Sequence, residues 1–107
     1  MLLSVRICSQ AWKSVDAIST YLTQRASLST ARRFVKAFQK AITALQRIPQ
    51  LGSNWPTDNA KLLGVRYWTL SKPFQRYIIF YRLAGLEGIE IIDVIHGSQD
   101  IGPRLST

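Results

Sequence analysis

The start of the chain changes from an alternating to a helical pattern of apolar positions. Leu3, Val5 and Ile7 alternate with polar residues, which is the period of a strand that buries one face. Ser9 then stands where a helix N-cap belongs. The next apolar residues recur at spacings of three and four, as on one helical face: Trp12, Val15, Ile18 and Leu22. The pattern therefore predicts a first strand followed by a helix over roughly Gln10–Arg25.

A second amphipathic helix follows after a short break. Ser27 or Ser29 can cap it, and Pro49 and Gly52 end it. Its apolar positions recur at helical spacing: Ala31, Phe34, Val35, Phe38, Ile42, Leu45 and Ile48. Because the connection is short, the two helices should form an antiparallel hairpin that covers one side of a sheet.

The second half of the chain is typical of a loop followed by three strands. Turn-forming residues fill Pro49–Lys61, which we expect to be a loop. β-branched and aromatic residues then predict strands at Val65–Leu70, Gln75–Leu83 and Ile89–Ile95, with a hairpin loop at Ala84–Gly88. The last two strands are apolar on both faces, so they should lie in the middle of a sheet covered on both sides. The helices cover one side, and either the C-terminal segment or a partner chain covers the other.

Length and composition complete the fold prediction. With 107 residues, 47% of them apolar and 19% charged, the chain has room for one domain and one core. We predict a single α+β domain over residues 1–107. In chain order it consists of an N-terminal strand, an antiparallel helical hairpin and a three-stranded antiparallel meander, and its strands form one sheet.

The positive charge is concentrated in the first half of the chain. The net charge is +8, from 14 lysines and arginines against 6 aspartates and glutamates. Residues 1–50 hold eight bases and one acid, for +7, whereas residues 51–107 hold six bases and five acids, for +1. Four bases recur on the second predicted helix with no acid between them: Arg32, Arg33, Lys36 and Lys40. This stripe suits nucleic acid or an acidic protein helix, or it is a solvated helix face.

Cysteine content and hydropathy indicate the cellular compartment of the protein and the cofactors that it could bind. Cys8 is the only cysteine, which excludes an intramolecular disulfide and a cysteine metal cluster. No apolar run is long enough to span a membrane, and Arg6 interrupts the apolar N-terminus. We therefore expect a soluble protein of the reducing cytoplasm. Because there is no phosphate-binding glycine loop, metal-ligand spacing or nucleophile elbow, we predict no metal and no cofactor.

His96, the only histidine, ends the last predicted strand and is followed by Gly97. It could act in acid–base chemistry near neutral pH. Alternatively, its ring could hydrogen-bond within the elbow that follows and hold Ser98 to Asp100 in place. Metal binding is disfavoured, since there is no second histidine and no cysteine pair.

Arginines and aromatic residues share the predicted strands. Arg66, Arg76 and Arg82 lie on these strands, and Arg76 and Arg82 could converge to bind phosphate. Alternatively, the arginines are solvated edge residues, or they pair with Glu90 or Asp93. The aromatic residues could stack on bases or belong to the core: Tyr67, Trp68, Tyr77 and Tyr81. The sequence leaves both pairs of alternatives open.

The order of the elements and four segments carry a family resemblance. The segments are Ala31–Pro49, Gly64–Arg66, Tyr77–Arg82 and Val94–Ile101. In this order and spacing, the chain resembles the RelE/ParE superfamily of bacterial type II toxins over nearly its whole length. The resemblance implies a small basic toxin that forms a hetero-oligomer with a cognate antitoxin, whose acidic C-terminal segment wraps it as a helix and a strand.

The resemblance also implies two alternative targets. RelE-like members cut messenger RNA in the ribosomal A site, whereas ParE-like members poison DNA gyrase. The ending His96–Ile101 resembles the ParE-like form, which usually has an arginine at the position of Gln99. We therefore expect a ParE-like gyrase inhibitor. The alternative is a ribosome-dependent endoribonuclease whose site is built from Arg66, Arg76, Tyr81 and His96.

The expected contact surface spans both halves of the chain. The residues expected to bind the antitoxin or the target are Arg32, Arg33, Lys36, Lys40, Trp68, Arg76, Arg82, His96 and Asp100. A plain nucleic-acid-binding module is a minor alternative, and it requires tight, salt-sensitive binding by the isolated protein.

Overall fold

A five-stranded sheet and two long helices form the framework, in agreement with the predicted α+β class. The computed structural model describes residues 2–106. Its elements are β1 (Ser4–Ile7), α1 (Ser9–Arg25), α2 (Leu28–Arg47), β2 (Ser53–Asn54), β3 (Arg66–Thr69), β4 (Tyr77–Ala84), β5 (Gly88–His96) and α3 (Ile101–Ser106), with a 3-10 helix at Ala60–Leu62. Among the described residues, none of the helices has the length and apolar character needed to cross a bilayer.

The sheet places the two most apolar strands in its interior. The strand order is β1-β5-β4-β3-β2, so β4 and β5 each have a strand on both sides. β1 runs parallel to β5, and the other neighbours are antiparallel. The prediction of a loop over Pro49–Lys61 is wrong at β2, whose two residues are too few to show a period. The sheet therefore has five strands where the sequence predicts four.

The three strands predicted after the loop are confirmed as β3, β4 and β5. Their ends differ from the predicted ends by one or two residues. Because β4 begins at Tyr77, Arg76 lies in the turn before the strand, and its predicted position on the strand is wrong. The Phe74 carbonyl accepts a hydrogen bond from the Tyr77 N–H at 3.0 Å, and this turn delays the start of the strand.

Helix α1 begins earlier than the serine cap predicts. Cys8 occupies the N-cap position with an extended backbone, and its side chain makes no capping hydrogen bond. The Cys8 N–H donates to the Ile91 carbonyl at 3.0 Å, so Cys8 still extends the β1–β5 ladder and Ser9 is already helical. Trp12 belongs to the predicted apolar face but is 54% exposed, and its ring meets Phe38 edge to face. The buried positions are Ala11, Ser14 and Val15.

Helix α2 follows its predicted pattern. Ser27 caps it, as its hydroxyl accepts a hydrogen bond from the Thr30 N–H at 3.1 Å. The predicted core positions that are buried are Ala31, Phe34, Phe38, Ile42 and Leu45. Val35 is only partly buried, and Ile48 is 55% exposed because the helix ends at Arg47.

Each face of the sheet carries its own apolar layer. The core on the helix side includes Phe34, Leu45, Ile79, Ile91 and Val94. The buried cluster on the opposite side consists of Leu62, Val65, Phe80, Ile95 and Leu105. Since α3 and the 3-10 helix supply residues to this second cluster, the chain covers both faces itself. The alternative of a C-terminal cover is confirmed, and the idea of a face left uncovered for a partner is wrong.

Tyr81 anchors the segment that follows α2. Its side chain is fully buried, and its hydroxyl donates to the Pro49 carbonyl at 2.7 Å and accepts from the Gly52 N–H at 2.9 Å. A Cβ at Gly52 would lie 2.5 Å from the Tyr67 carbonyl oxygen and 2.6 Å from the Tyr81 hydroxyl. Only glycine therefore allows this segment to approach β3 and β4 so closely.

Gly52→Ala should lower the free energy of unfolding by about 1–3 kcal/mol, because the added methyl group must displace a backbone carbonyl and a buried tyrosine. Gly102→Ala is the matched control, since nothing lies within 4 Å of a Cβ at that position. The control should change stability by less than about 1 kcal/mol, because the added methyl group displaces no packed side chain or carbonyl. Urea unfolding followed by tryptophan fluorescence measures both, and equal destabilisation by the two substitutions would contradict this packing.

Candidate functional site

Two concave surfaces collect polar side chains. The first, the His96 groove, has a volume of about 490 Å³ and lies between α1, the adjoining ends of β4 and β5, and the C-terminal segment. Its lining includes Ser14, Ile18, Tyr21, Tyr77, His96 and Arg104. The second, the basic cleft, has a volume of about 280 Å³ and lies between α2 and the connection from β3 to β4. Its lining includes Arg33, Lys36, Lys40, Ser71, Lys72 and Phe74.

His96 organises the elbow at the end of β5. Its Nδ1 lies 2.7 Å from the Ser98 hydroxyl and accepts a hydrogen bond from the Ser98 N–H at 3.1 Å. The ring also meets Tyr77 edge to face, with centroids 5.0 Å apart. With Nδ1 engaged, Nε2 is the ring nitrogen that can serve a bound group. The elbow is further fixed by the Gly97 N–H, which donates to the Arg76 carbonyl at 2.8 Å.

Tyr77 links the groove to the core. It lies opposite His96 in the β4–β5 register, and its ring packs against Phe34 with centroids 5.2 Å apart. Burial raises the pKa of the Tyr77 phenol above its usual value, and the nearby Tyr21 adds to the rise. The phenol therefore stays protonated at neutral pH, when it can donate a hydrogen bond but cannot act as a base.

A buried network holds the base of the groove together. Asp93 is 1% exposed, and its carboxylate accepts hydrogen bonds from the Ser14 hydroxyl and from the Val94 N–H at 2.8 Å. Arg104 lies 3.5 Å from the Asp93 carboxylate and donates to the Ser14 hydroxyl at 3.2 Å. The Arg104 guanidinium also donates to the Gln99 side chain at 2.9 Å. The network therefore joins α1, β5 and α3 at one point.

The sequence patterns do not identify this network. The one available signal is Asp93, a carboxylate inside the otherwise apolar run Ile91–Ile95, which requires a buried partner. Asp93 does not pair with Arg66, Arg76 or Arg82, the strand arginines proposed as its partners. Its partners lie on other elements, Ser14 on α1 and Arg104 on α3, so the periodicity of β5 does not reveal them.

Two residues of the ribonuclease alternative make structural contacts. The Arg66 guanidinium donates to the Gly52 carbonyl at 2.8 and 3.1 Å, to the Gln50 carbonyl at 3.2 Å and to the Asn54 side chain at 2.9 Å. Tyr81 holds the same segment through its buried hydroxyl. Both side chains are therefore occupied in fixing residues 49–54 against the sheet.

The other two residues of that set lie at the far end of β4. Arg76 is exposed in the turn before the strand, and His96 faces the next residue, Tyr77. Arg66 pairs in register with Tyr81, four residues further along β4. At about 3.3 Å per residue, the two pairs are separated by about 13 Å. The structure therefore places the Arg76 backbone beside the His96 elbow and Arg66 opposite Tyr81, and it does not bring all four residues together.

The basic cleft gathers cations from two parts of the chain. Arg33, Lys36 and Lys40 come from α2, and Lys72 comes from the connection between β3 and β4. These three are among the four α2 bases expected to bind a partner, but the sequence does not reveal Lys72 as their neighbour. Arg32 is exposed on the same helix and is not part of the lining.

The remaining predicted contact residues are dispersed. Trp68 is half-buried and packs against the helix-side core. Arg82 is half-buried on β4, where it donates to the Lys61 carbonyl at 2.9 Å and lies opposite Glu90. Asp100 is exposed immediately before α3. These three do not form a common site with the groove or the cleft.

Cys8 lies outside both surfaces. Burial raises the pKa of its thiol above the usual value, and the Glu90 carboxylate raises it further, while Arg6 and Arg82 act in the opposite direction. The thiol is therefore protonated at neutral pH, and a protonated thiol is a poor nucleophile. Cys8 is not a candidate for covalent chemistry.

Comparison with known proteins gives one family. The family model of the ParE toxin of type II toxin–antitoxin system, parDE, matches residues 5–101. Among solved structures, a chain of the chromosomal ParDE toxin–antitoxin system from P. aeruginosa has a TM-score of 0.71 and 21% identity, covering 89% of this chain and 96% of that one. A chain of the RelBE2 toxin–antitoxin complex from Mycobacterium tuberculosis has a TM-score of 0.57 and 17% identity, covering 90% and 99%. No curated protein sequence gave a match.

The family match extends from within β1 to the first residue of α3. It therefore includes both long helices, the four other strands and the His96 elbow. The two structural likenesses agree with it in fold. The resemblance predicted from the sequence is confirmed, and the chain belongs to the ParE toxin family of type II toxin–antitoxin systems.

Proposed function

We propose that this toxin binds DNA gyrase in the cytoplasm and traps its cleaved-DNA state. The observation that carries the proposal is the division of the ribonuclease set into two distant pairs. Arg66 and Tyr81 fix the segment after α2, so neither is free to stabilise a reacting phosphate. A phosphate bound beside Arg76 and His96 would be about 13 Å from them. Membership of the ParE family supports the same choice of target.

We also propose that a cognate antitoxin neutralises the toxin in a hetero-oligomer by laying a helix into the His96 groove. Tyr21 is 54% exposed on the groove side of α1, and the half-buried Ile18 lies beside it in the lining. His96 and Gln99 add polar groups at the edge. An apolar stripe with a polar rim is what an amphipathic helix recognises. The high positive charge of the toxin favours an acidic partner.

We propose that the other predicted contact residues lie on the outer surface that contacts the antitoxin or gyrase. They are Arg32, Trp68, Arg76, Arg82 and Asp100. All five are exposed or half-exposed, so a partner can reach them without unfolding the domain. None is assigned a chemical step.

The purified toxin should inhibit supercoiling by gyrase and increase the amount of cleaved DNA, because a poison stabilises the enzyme–DNA intermediate. Agarose gels of plasmid topoisomers and linear DNA measure both effects. Toxin mixed beforehand with its antitoxin is the control and should leave gyrase active. Full supercoiling at an excess of toxin would contradict the proposal.

The same toxin preparation should leave messenger RNA intact in a translation extract. Codon-phased cuts that disappear with Arg76→Ala or His96→Ala would establish the ribonuclease alternative instead. Primer extension on a translated message detects such cuts.

Tyr21→Ala should weaken antitoxin binding by about tenfold to a hundredfold, the range expected when an aromatic anchor is removed from an interface. Trp12→Ala is the matched control, since both residues lie on α1 and each is 54% exposed. Trp12 and Tyr21 are nine positions apart, which is a net rotation of about 180° around the helix, so Trp12 faces away from the groove. The control should change the affinity by less than about threefold. Isothermal titration calorimetry tests this, and equal losses for both variants would exclude the groove as the binding surface.

A further inference from the structure

The basic cleft concentrates positive charge that the protein does not neutralise. Three cations lie on α2, and Arg33 and Lys40 are separated by about 10 Å along the helix axis. Lys72 faces them from the connection between β3 and β4. In the described part of the chain, side-chain salt bridges pair Arg6 with Glu90 and Arg104 with Asp93, and none involves a cleft residue.

The two walls of the cleft are held in place by packing. Phe74 is 5% exposed, and its ring meets the buried Phe34 of α2 edge to face with centroids 5.7 Å apart. The Phe74 N–H donates to the Ser71 carbonyl at 2.9 Å, which closes the turn that carries Lys72. The backbone segments that carry the cations are therefore fixed relative to each other before a ligand arrives.

The residues that line the basic cleft indicate which class of partner it can bind. A protein interface needs an apolar core, but no large exposed hydrophobic residue of the described chain lines the cleft. Bases of a single strand need an exposed aromatic ring for stacking, and the aromatic ring of the cleft, Phe74, is buried. The chemistry that remains is recognition of closely spaced phosphates by lysine and arginine.

We propose that the basic cleft binds the phosphate backbone of duplex DNA and so holds the toxin on the DNA that gyrase is processing. The inference deepens the proposed function and rests on it for the source of the duplex. Binding of this kind is independent of sequence, because phosphate contacts carry no base information. The cleft and the His96 groove are lined by different residues, so DNA and antitoxin need not compete for the same side chains.

Fluorescence anisotropy with two labelled duplexes of unrelated sequence tests the inference without gyrase. Lys36→Gln with Lys72→Gln removes one charge from each wall. The plot of log K against log salt should become shallower by about 2, and binding at 0.1 M salt should weaken roughly tenfold or more. Lys13→Gln with Lys61→Gln is the matched control, because these lysines are equally exposed and lie outside the cleft. The control should keep the slope of the wild type, and both duplexes should give the same result.

Three outcomes would overturn the inference. The first is an equal change of slope in the two double variants. The second is a cleft variant that loses antitoxin affinity while it retains DNA affinity, since the cleft would then belong to the antitoxin. The third is tighter binding of single-stranded RNA than of the duplex. Failure of the proposed function is a separate result, namely active gyrase in the presence of wild-type toxin.

Discussion

The burial of β4 and β5 on both faces is the constraint from which the rest of the arrangement follows. Ile79, Phe80, Ile91 and Ile95 are each fully buried, two on the helix side and two on the opposite side. A single apolar layer therefore cannot complete the core. The helical hairpin covers one face, and α3 with the 3-10 helix covers the other. Polar side chains are left to the ends of the central strands and to the outer surface of α2, where the His96 groove and the basic cleft lie.

An irregularity within this central pair creates the base of the groove. Phe80 lies opposite Asp93 but Tyr81 lies opposite Ile91, so β5 contains one extra residue at this point. Such a bulge interrupts the regular ladder and redirects the neighbouring side chains. Asp93 meets Ser14 and Arg104 beside it. Since a buried carboxylate is costly unless it is paired, this contact fixes the C-terminal segment to α1 as well as to the sheet.

Local patterns predicted those parts of the structure whose cause is local. Ser27 and the apolar stripe of α2 could be recognised because capping and helical spacing act over a few residues. The contacts of Asp93 and the position of Lys72 could not, because they depend on how distant segments pack. The role of Tyr81 could not be predicted either, because a tyrosine on a strand can act in catalysis, stack on a base or belong to the core. The hydrogen bond from its hydroxyl to the Pro49 carbonyl identifies a structural role. The order of the elements predicted the α+β arrangement, and the family resemblance added the expected class of function and of partner.

The structure thus presents two separate surfaces, the His96 groove and the basic cleft, for which we propose the antitoxin and the DNA held by gyrase as the respective partners. Lysine acetylation followed by mass spectrometry tests this separation most directly, on the free toxin, the antitoxin complex and the toxin bound to gyrase with DNA. We expect Lys36, Lys40 and Lys72 to react in the first two states and to be protected in the third, while Lys13 and Lys61 keep their reactivity. Cleft lysines that stay reactive with gyrase and DNA, or that antitoxin alone protects, would contradict it.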